Sequence, residues 1–159
     1  MPNRYTQHNQ AERARLEALV RRLSVEQLSI PMEAGWTPSA ILAHLAFWDQ
    51  RALTLLRHWQ EHGIGPSGLD TDIVNEAMRL HCLAIPPHSA AELALSCAVA
   101  IDKAIDELAP EMLAAVETNG QTVHLDRGAH RQTHIADIEA AVSAAYRALY
   151  PIRVSENRR

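Results

Sequence analysis

The sequence predicts an all-α fold, a bundle of four long helices with one short extra helix. Ala, Leu, Glu and Arg, which favour helices, dominate the composition. Runs of β-branched residues are scarce, and aromatic residues make up only 4% of the chain. Apolar residues recur at spacings of three and four in several segments, the pattern of an amphipathic helix. A length of 159 residues suits a single domain, which we expect to span residues 1–152.

The first helix is predicted from about Tyr5 to Leu23. Leu16, Leu19 and Val20 follow the i, i+3, i+4 spacing, and Leu23 continues it at i+7. The segment SVEQLSIPMEAGW that follows contains a proline and a glycine, which interrupt regular structure. We therefore expect this segment to be a connector.

The second long helix has a well-marked start and end. Thr37 can cap the free N–H groups of the first turn, and Pro38 suits the first helical position because no donor is needed there. Gly63 ends the helix after His62. At 100° per residue its apolar side chains share one arc, which comprises Ile41, Leu45, Trp48, Ala52, Leu55, Leu56 and Trp59.

Two further helices are predicted in the middle of the chain. A short one covers about residues 70–83 and ends before the Pro-Pro pair at 86–87. Ser89 and Glu92 form the S-x-x-E pattern of a capping box, which predicts the start of a third long helix, and Pro110 ends it. The predicted buried arc of that helix comprises Leu93, Cys97, Ala100, Ile101, Ala104, Ile105 and Leu108.

The segment VETNGQTV precedes the last helix. Asn-Gly is a strong hairpin signal, so the pair at 119–120 predicts a small two-stranded flap or a simple turn. The last helix is expected to begin between Thr122 and Gly128 and to end at Tyr150. The C-terminal tail, residues 153–159, is expected to be disordered, because polar chain termini often are.

Charge and composition argue against several classes of function. With 15 Lys and Arg against 19 Asp and Glu, the net charge of −4 lacks the basic surface that nucleic-acid binding requires. No apolar run reaches the 18 or so residues of a membrane span, and no signal peptide is recognisable. Cys82 and Cys97 are too few for a disulfide framework. We therefore expect a cytoplasmic protein that binds neither nucleic acid nor membranes.

Histidine, with nine copies, is the residue type that points to chemistry. His130 and His134 lie four residues apart, so both project from one side of the last helix. Taken alone, such a pair is more often two surface side chains. His44 lies at the border of the apolar arc of the second long helix and could face the pair. Three neutral imidazoles with an open fourth position are typical of a catalytic zinc site.

Other polar residues are weaker candidates for the same site. Asp137 shares the face of the histidine pair and could orient an imidazole, or it could simply face solvent. Asn75 and Glu76 could reach the same cavity, and Trp48 could line it. Asp49 is expected to pair elsewhere. The remaining histidines are expected on the surface or in loops, and they are His8, His58, His62, His81, His88 and His124.

The stretches around these histidines resemble the DinB/YfiT-like metalloenzyme family. Gly35-Trp36-Thr37-Pro38 running into HLAFWD, and HRQTHIADIE in the last helix, are similar to the family's Trp-Thr helix start, internal histidine and H-x3-H pair. The resemblance covers essentially the full chain. It implies an up-down-down-up four-helix bundle, a homodimer, and a divalent ion, zinc or nickel, on His44, His130 and His134. Characterised relatives use low-molecular-weight thiols in transfer or isomerisation reactions.

Two functions are compatible with these residues. The first is a metal-dependent enzyme, a thiol transferase or a hydrolase, whose ion lowers the pKa of a thiol or water that then attacks a small-molecule substrate. The alternative is a non-catalytic metal- or ligand-binding stress-response protein, a helical dimer, including one that buries Trp59 without any ion. The sequence identifies neither the metal, the substrate nor the dimer surface.

Overall fold

The computed structural model describes residues 3–150, and this part of the chain is all-helical, without β-strands. Its helices are α1 (Thr6–Arg22), α2 (Val25–Leu28), α3 (Pro38–His62), α4 (Thr71–Ala84), α5 (Pro87–Asp106), α6 (Pro110–Thr118) and α7 (Arg127–Leu149). The all-α prediction is confirmed. The tail predicted at 153–159 lies outside the described residues. None of the described helices has both the length and the apolarity needed to cross a membrane.

Helix α3 is the centre of the packing. It lies against α5 along most of its length and also contacts α4 and α7, while α1 packs on α7 and α5. One apolar cluster forms around Leu16, Leu42 and Ile135, and a second forms around Leu56 and Trp59. Because Trp59 is only 2% exposed within its own chain, the idea that it is buried in a dimer surface is wrong.

The predicted boundaries of α3 and α7 agree with the structure. The Thr37 hydroxyl accepts a hydrogen bond from the backbone N–H of Ala40 at 3.1 Å, and Gly63 follows the last turn of α3 with a positive φ of 85°. Helix α7 begins at Arg127, inside the predicted window, and the Asp126 carboxylate caps it. The starts of α3 and α7, the ends nearest to His44 and His130, are therefore each held by a side-chain cap. A glycine marks the end of α3.

The predicted start and end of the third long helix are wrong. Helix α5 begins at Pro87, two residues before Ser89, so the proposed capping box lies inside the first turn. A proline at the first helical position needs no N–H partner, and this start prevails over the box. The helix ends at Asp106, and Pro110 begins α6 rather than ending α5.

The predicted buried arc of α5 is also rotated relative to the observed one. Leu93 is 43% exposed, whereas Ala94 and Ala98 are fully buried against the neighbouring helices. Small side chains allow α3 and α5 to approach closely, so burial here follows backbone proximity rather than side-chain hydrophobicity.

Two segments expected to be irregular are helical. In the connector, Ser24 and Gln27 form a capping box that starts the one-turn helix α2. Of the two alternatives predicted at 119–120, the two-stranded flap is wrong and the turn is correct, because α6 continues through Thr118 and Gly120, with φ 69°, lies in the turn that ends the helix. A glycine with positive φ suits a helix C-terminus as well as a hairpin.

Gly128 allows α1 to approach the first turn of α7. A Cβ at this position would lie 2.9 Å from the ring of His8 and 3.0 Å from its backbone oxygen. The Gly128 N–H also donates to Oδ1 of Asn9 at 2.7 Å. This contact anchors the end of α7 that carries His130.

Candidate metal centre

The structure brings the three predicted histidines together. His44 projects from the second turn of α3, and His130 and His134 project from the first two turns of α7. The Nε2 atoms of His44 and His130 are 3.2 Å apart. One ring nitrogen from each histidine can be chosen so that all three lie within 4.8 Å of one another. The convergence of two helices, which the sequence could only suggest, is therefore present.

The donor set and its spacing suit a divalent transition metal. Two imidazole nitrogens at about 2.0–2.1 Å from a tetrahedral ion are about 3.3 Å apart, and the His44–His130 distance is 3.2 Å. The Nδ1 atoms of His44 and His134 are buried and have no hydrogen-bond partner within the described residues. Buried polar atoms are normally paired, so these histidines are not a satisfied set of core residues.

All three imidazoles are held in the neutral form that a metal ion needs. Burial lowers the pKa of His44 to about 4, and the neighbouring His134 and Arg127 lower it further in the same direction. Burial, followed by Arg127, lowers the pKa of His130 to about 2. The pKa of His134 is also lowered by burial, against the opposing effect of Asp137. Protons therefore compete weakly for these nitrogens.

One hydrogen bond in the site opposes metal binding by His130. Nη2 of Arg127 lies 3.0 Å from Nδ1 of His130, and because a guanidinium only donates, Nδ1 is the acceptor. The proton of neutral His130 then lies on Nε2 and points at Nε2 of His44. An ion bound to that Nε2 would require the proton on Nδ1, so Arg127 would have to release this contact.

Behind the histidines lies a buried network of arginines and aspartates. Asp49 accepts from Nε of Arg127 at 2.8 Å and from Nη2 of Arg131 at 3.0 Å. Asp102 lies 2.8 Å from Nη1 of Arg131 and also faces Arg13. The expectation that Asp49 pairs away from the histidines is thus correct. The network fixes α3, α5 and α7 relative to one another.

Sequence reasoning missed the two arginines, although a signal was present. Arg131 stands at i−4 from Ile135 and i−7 from Ile138, which are both fully buried, so it lies on the apolar stripe of α7. A charge in such a position is expected to be buried and paired. The same pattern of spacing places Asp49 among buried residues of α3.

The other predicted candidates divide into those near the site and those away from it. Oδ2 of Asp137 lies 3.3 Å from Nδ1 of His134, without hydrogen-bond geometry. Asn75 lines the cavity beside the histidines and accepts from the Trp48 indole N–H at 3.0 Å. Glu76 pairs with Arg79 at 2.9 Å and is 70% exposed, so it does not join the site.

We expected His124 on the surface or in a loop, and the structure places its side chain inside the fold. It is only 7% exposed, its ring stands edge-on to Trp59, and its Nε2 lies 3.2 Å from the Ser67 hydroxyl. Burial, with Arg51 and Arg127 adding to it, lowers its pKa to about 4. The expected place in a loop is correct, but the short 3-10 turn at 122–124 carries a buried side chain rather than an exposed one.

The histidine cluster opens into a cavity of about 510 Å³. Its walls combine the three histidines with polar and apolar side chains from α3, α4, α7, the loop after α3 and the segment between α6 and α7. They include Trp48, Arg51, Ser67, Leu69, Asn75, Gln121, Val123, His124 and Arg127. Trp36 stands edge-on to His44 at 5.6 Å between ring centroids. A small molecule in this cavity would lie against the three histidine side chains.

Comparison with known proteins agrees with this geometry. The model of the DinB superfamily matches residues 8–145, which include most of α1, all three histidines and most of α7. No curated protein and no solved structure matches the chain. A match that covers most of the chain, together with histidines brought together on two helices, leads to one assignment. The chain belongs to the DinB superfamily.

Proposed function

We propose that this protein is a metal-dependent enzyme in which His44, His130 and His134 hold a zinc or nickel ion beside the 510 Å³ cavity. The observation that carries the proposal is a set of three neutral imidazoles that line a cavity, with one nitrogen of each ring within 4.8 Å of the others and with Nδ1 of His44 and of His134 unpaired in the described structure. Satisfied core histidines would not leave such nitrogens unpaired. The reaction class is thiol transfer, with hydrolysis as the second choice.

A divalent ion in this site would lower the pKa of a thiol or water bound at its open position. The chain's own residues prepare the surroundings. Trp36 and Trp48 stand edge-on to His44 and pack against its ring. Asp137 faces Nδ1 of His134 and can hold the proton of that nitrogen once the two groups align.

The remaining family expectations belong to the same proposal. They are an up-down-down-up order of the long helices, a homodimer, a cytoplasmic location and a low-molecular-weight thiol as one substrate. Family membership supports them, and the small-molecule cavity supports the last. The non-catalytic alternative uses the same histidines and differs only in the absence of turnover.

Metal analysis of the full chain, purified without a histidine tag, tests the proposal. After treatment with a chelator and reloading with zinc or nickel, the wild-type protein is expected to hold about one ion per chain. A hundredfold excess of metal over its Kd should add about 2.7 kcal/mol to the free energy of unfolding. His134→Ala should lose both effects. His81→Ala, which removes an exposed histidine on α4, should keep both.

The outcomes separate the two functions. Absence of bound metal in the wild type, or equal binding by His134→Ala, would overturn the metal centre. Acceleration of the reaction of 2-mercaptoethanol with an aryl halide by the loaded protein, and not by His134→Ala, would support the transferase. Tight metal binding without acceleration of thiol transfer or ester hydrolysis would favour the non-catalytic protein.

A further inference from the structure

A second feature of the cavity is the position of Arg51. His44, Trp48 and Arg51 occupy i, i+4 and i+7 on α3, so they share one face of the helix, and all three line the cavity. The Arg51 guanidinium lies over the Trp48 ring at 5.6 Å from its centroid. Its Nη2 donates to the backbone oxygen of Ser67 at 2.8 Å. Stacking and this hydrogen bond hold the side chain in place.

The charge of Arg51 is not neutralised in the described part of the chain. Arg127, in the same cavity, is paired with Asp49 at 2.8 Å, but no carboxylate among the described residues pairs with Arg51 or lines the cavity. Only one of the five guanidinium donors of Arg51 has a protein partner here. Burial and the nearby Arg127 lower its pKa, as expected for a cation without a neutralising partner.

The chemistry of the free donors identifies the class of ligand. A guanidinium presents parallel N–H groups that match the two oxygens of a carboxylate. The apolar surfaces of Trp48, Leu69 and Val123 in the same cavity suit a short hydrocarbon segment. With three neutral histidines and a divalent ion beside it, the cavity would be strongly cationic, which favours an anion.

We propose that the cavity binds a small organic carboxylate through Arg51, and that the substrate is a molecule with this group at one end and its reacting thiol or electrophile near the histidines at the other. This inference rests on the proposed function, because it names the substrate class of the same site. Arg51 acts as a binding residue that fixes the orientation of the substrate along α3.

A series of thiols on the cobalt-loaded protein tests the proposal. The probes are ω-mercapto carboxylates with one to five methylene groups, each compared with the neutral mercapto alcohol of the same length. Coordination of the thiolate to Co²⁺ produces a charge-transfer band, which reports binding without any turnover. At the best length we expect the carboxylate to bind at least tenfold more tightly than the alcohol.

Three variants connect this preference to one side chain. Arg51→Gln should reduce the preference to less than threefold, while Arg51→Lys, which keeps the charge without the planar fork, should retain part of it. Arg57→Gln removes the same charge from an exposed position on α3 and should leave the preference unchanged. Equal binding of acids and alcohols at every length, or equal loss in Arg51→Gln and Arg57→Gln, would overturn the proposal.

A metal-free experiment separates this inference from the metal centre. In protein with ¹⁵N-labelled tryptophan, hexanoate should shift the Trp48 indole signal, because that ring stacks on Arg51, whereas hexan-1-ol should not. An Arg51-dependent shift without cobalt binding would overturn the proposed metal-dependent enzyme and support the carboxylate site. If thiols bind the cobalt without a preference for carboxylates, and hexanoate does not shift the Trp48 signal, the carboxylate site is overturned and the metal centre is supported.

Discussion

Two polar clusters lie side by side between α3 and α7, and they differ in whether their members neutralise one another's charge. In the network of Asp49, Asp102, Arg127 and Arg131, every carboxylate oxygen lies 2.8–3.1 Å from a guanidinium nitrogen of opposite charge, although Oδ1 of Asp102 lacks hydrogen-bond geometry. In the histidine cluster, two buried ring nitrogens have no hydrogen-bond partner in the described structure.

The comparison assigns different roles to the two clusters. A buried polar atom left unpaired costs about 1–3 kcal/mol, so a fold gains nothing in stability from the histidine arrangement alone. The arginine–aspartate network holds the helices in position, and the histidines are held in a costly arrangement by the same helices. Removing a residue from one cluster should therefore affect stability, and removing one from the other should affect ligand binding.

The largest expected effect is the loss of Asp49. Asp49→Ala leaves the buried guanidinium groups of Arg127 and Arg131 without their shared carboxylate, which should cost about 3–5 kcal/mol in the free energy of unfolding. Asp72→Ala, at an exposed position of α4, should change it by less than about 0.5 kcal/mol. Urea unfolding of both variants measures the difference. A cost for Asp49→Ala below 1 kcal/mol would mean that the network does not stabilise the fold.

A smaller effect is expected from His124, a buried imidazole that belongs to neither cluster. Its pKa is lowered to about 4 from about 6.5 in the unfolded chain. The native state then binds fewer protons than the unfolded state between these values, so stability falls as the pH falls through this window. One pKa unit corresponds to about 1.36 kcal/mol, which gives a loss of roughly 2 kcal/mol between pH 7 and pH 4.5.

His124→Gln isolates this contribution, because glutamine does not titrate. The free energy of unfolding of the variant should depend less on pH over the same range, by roughly 2 kcal/mol. His81→Gln, which replaces an exposed histidine, should keep the wild-type dependence. If the wild type and His124→Gln lose the same stability on acidification, the burial of this ring has no effect on its titration.

Much of the fold could be predicted because helix signals are local. The cap at Thr37, the window for the start of α7 and the positions of the long helices all follow from neighbouring residues. Where two local signals compete, the prediction was wrong or left alternatives open. Pro87 and Ser89 both mark a helix start, and Asn119-Gly120 suits both a hairpin and a helix end.

The candidate site could be predicted only in part, because it depends on how helices are offset along their axes. Spacing places His130 and His134 on one face, but the approach of His44 depends on packing around α3 and on the contact that Gly128 permits. Arg51 and His124 gave no signal of their own, since their roles depend on a cavity formed by distant segments.

The smallest predicted effect tests whether the histidine cluster has outer partners of its own. Asp137 is 54% exposed and lies 3.3 Å from Nδ1 of His134 without hydrogen-bond geometry. Carboxylates that orient a ligating histidine typically contribute 10–100-fold to metal affinity, and this exposure places Asp137 at the low end. Asp137→Asn should therefore weaken zinc binding about tenfold, measured by competition with a chromophoric chelator, and should leave the unfolding of the metal-free protein nearly unchanged. Asp72→Asn should bind zinc as the wild type does. An unchanged affinity in Asp137→Asn would show that this carboxylate simply faces solvent. The histidines would then have no outer partner on this side, and only a bound ligand would contact their nitrogens.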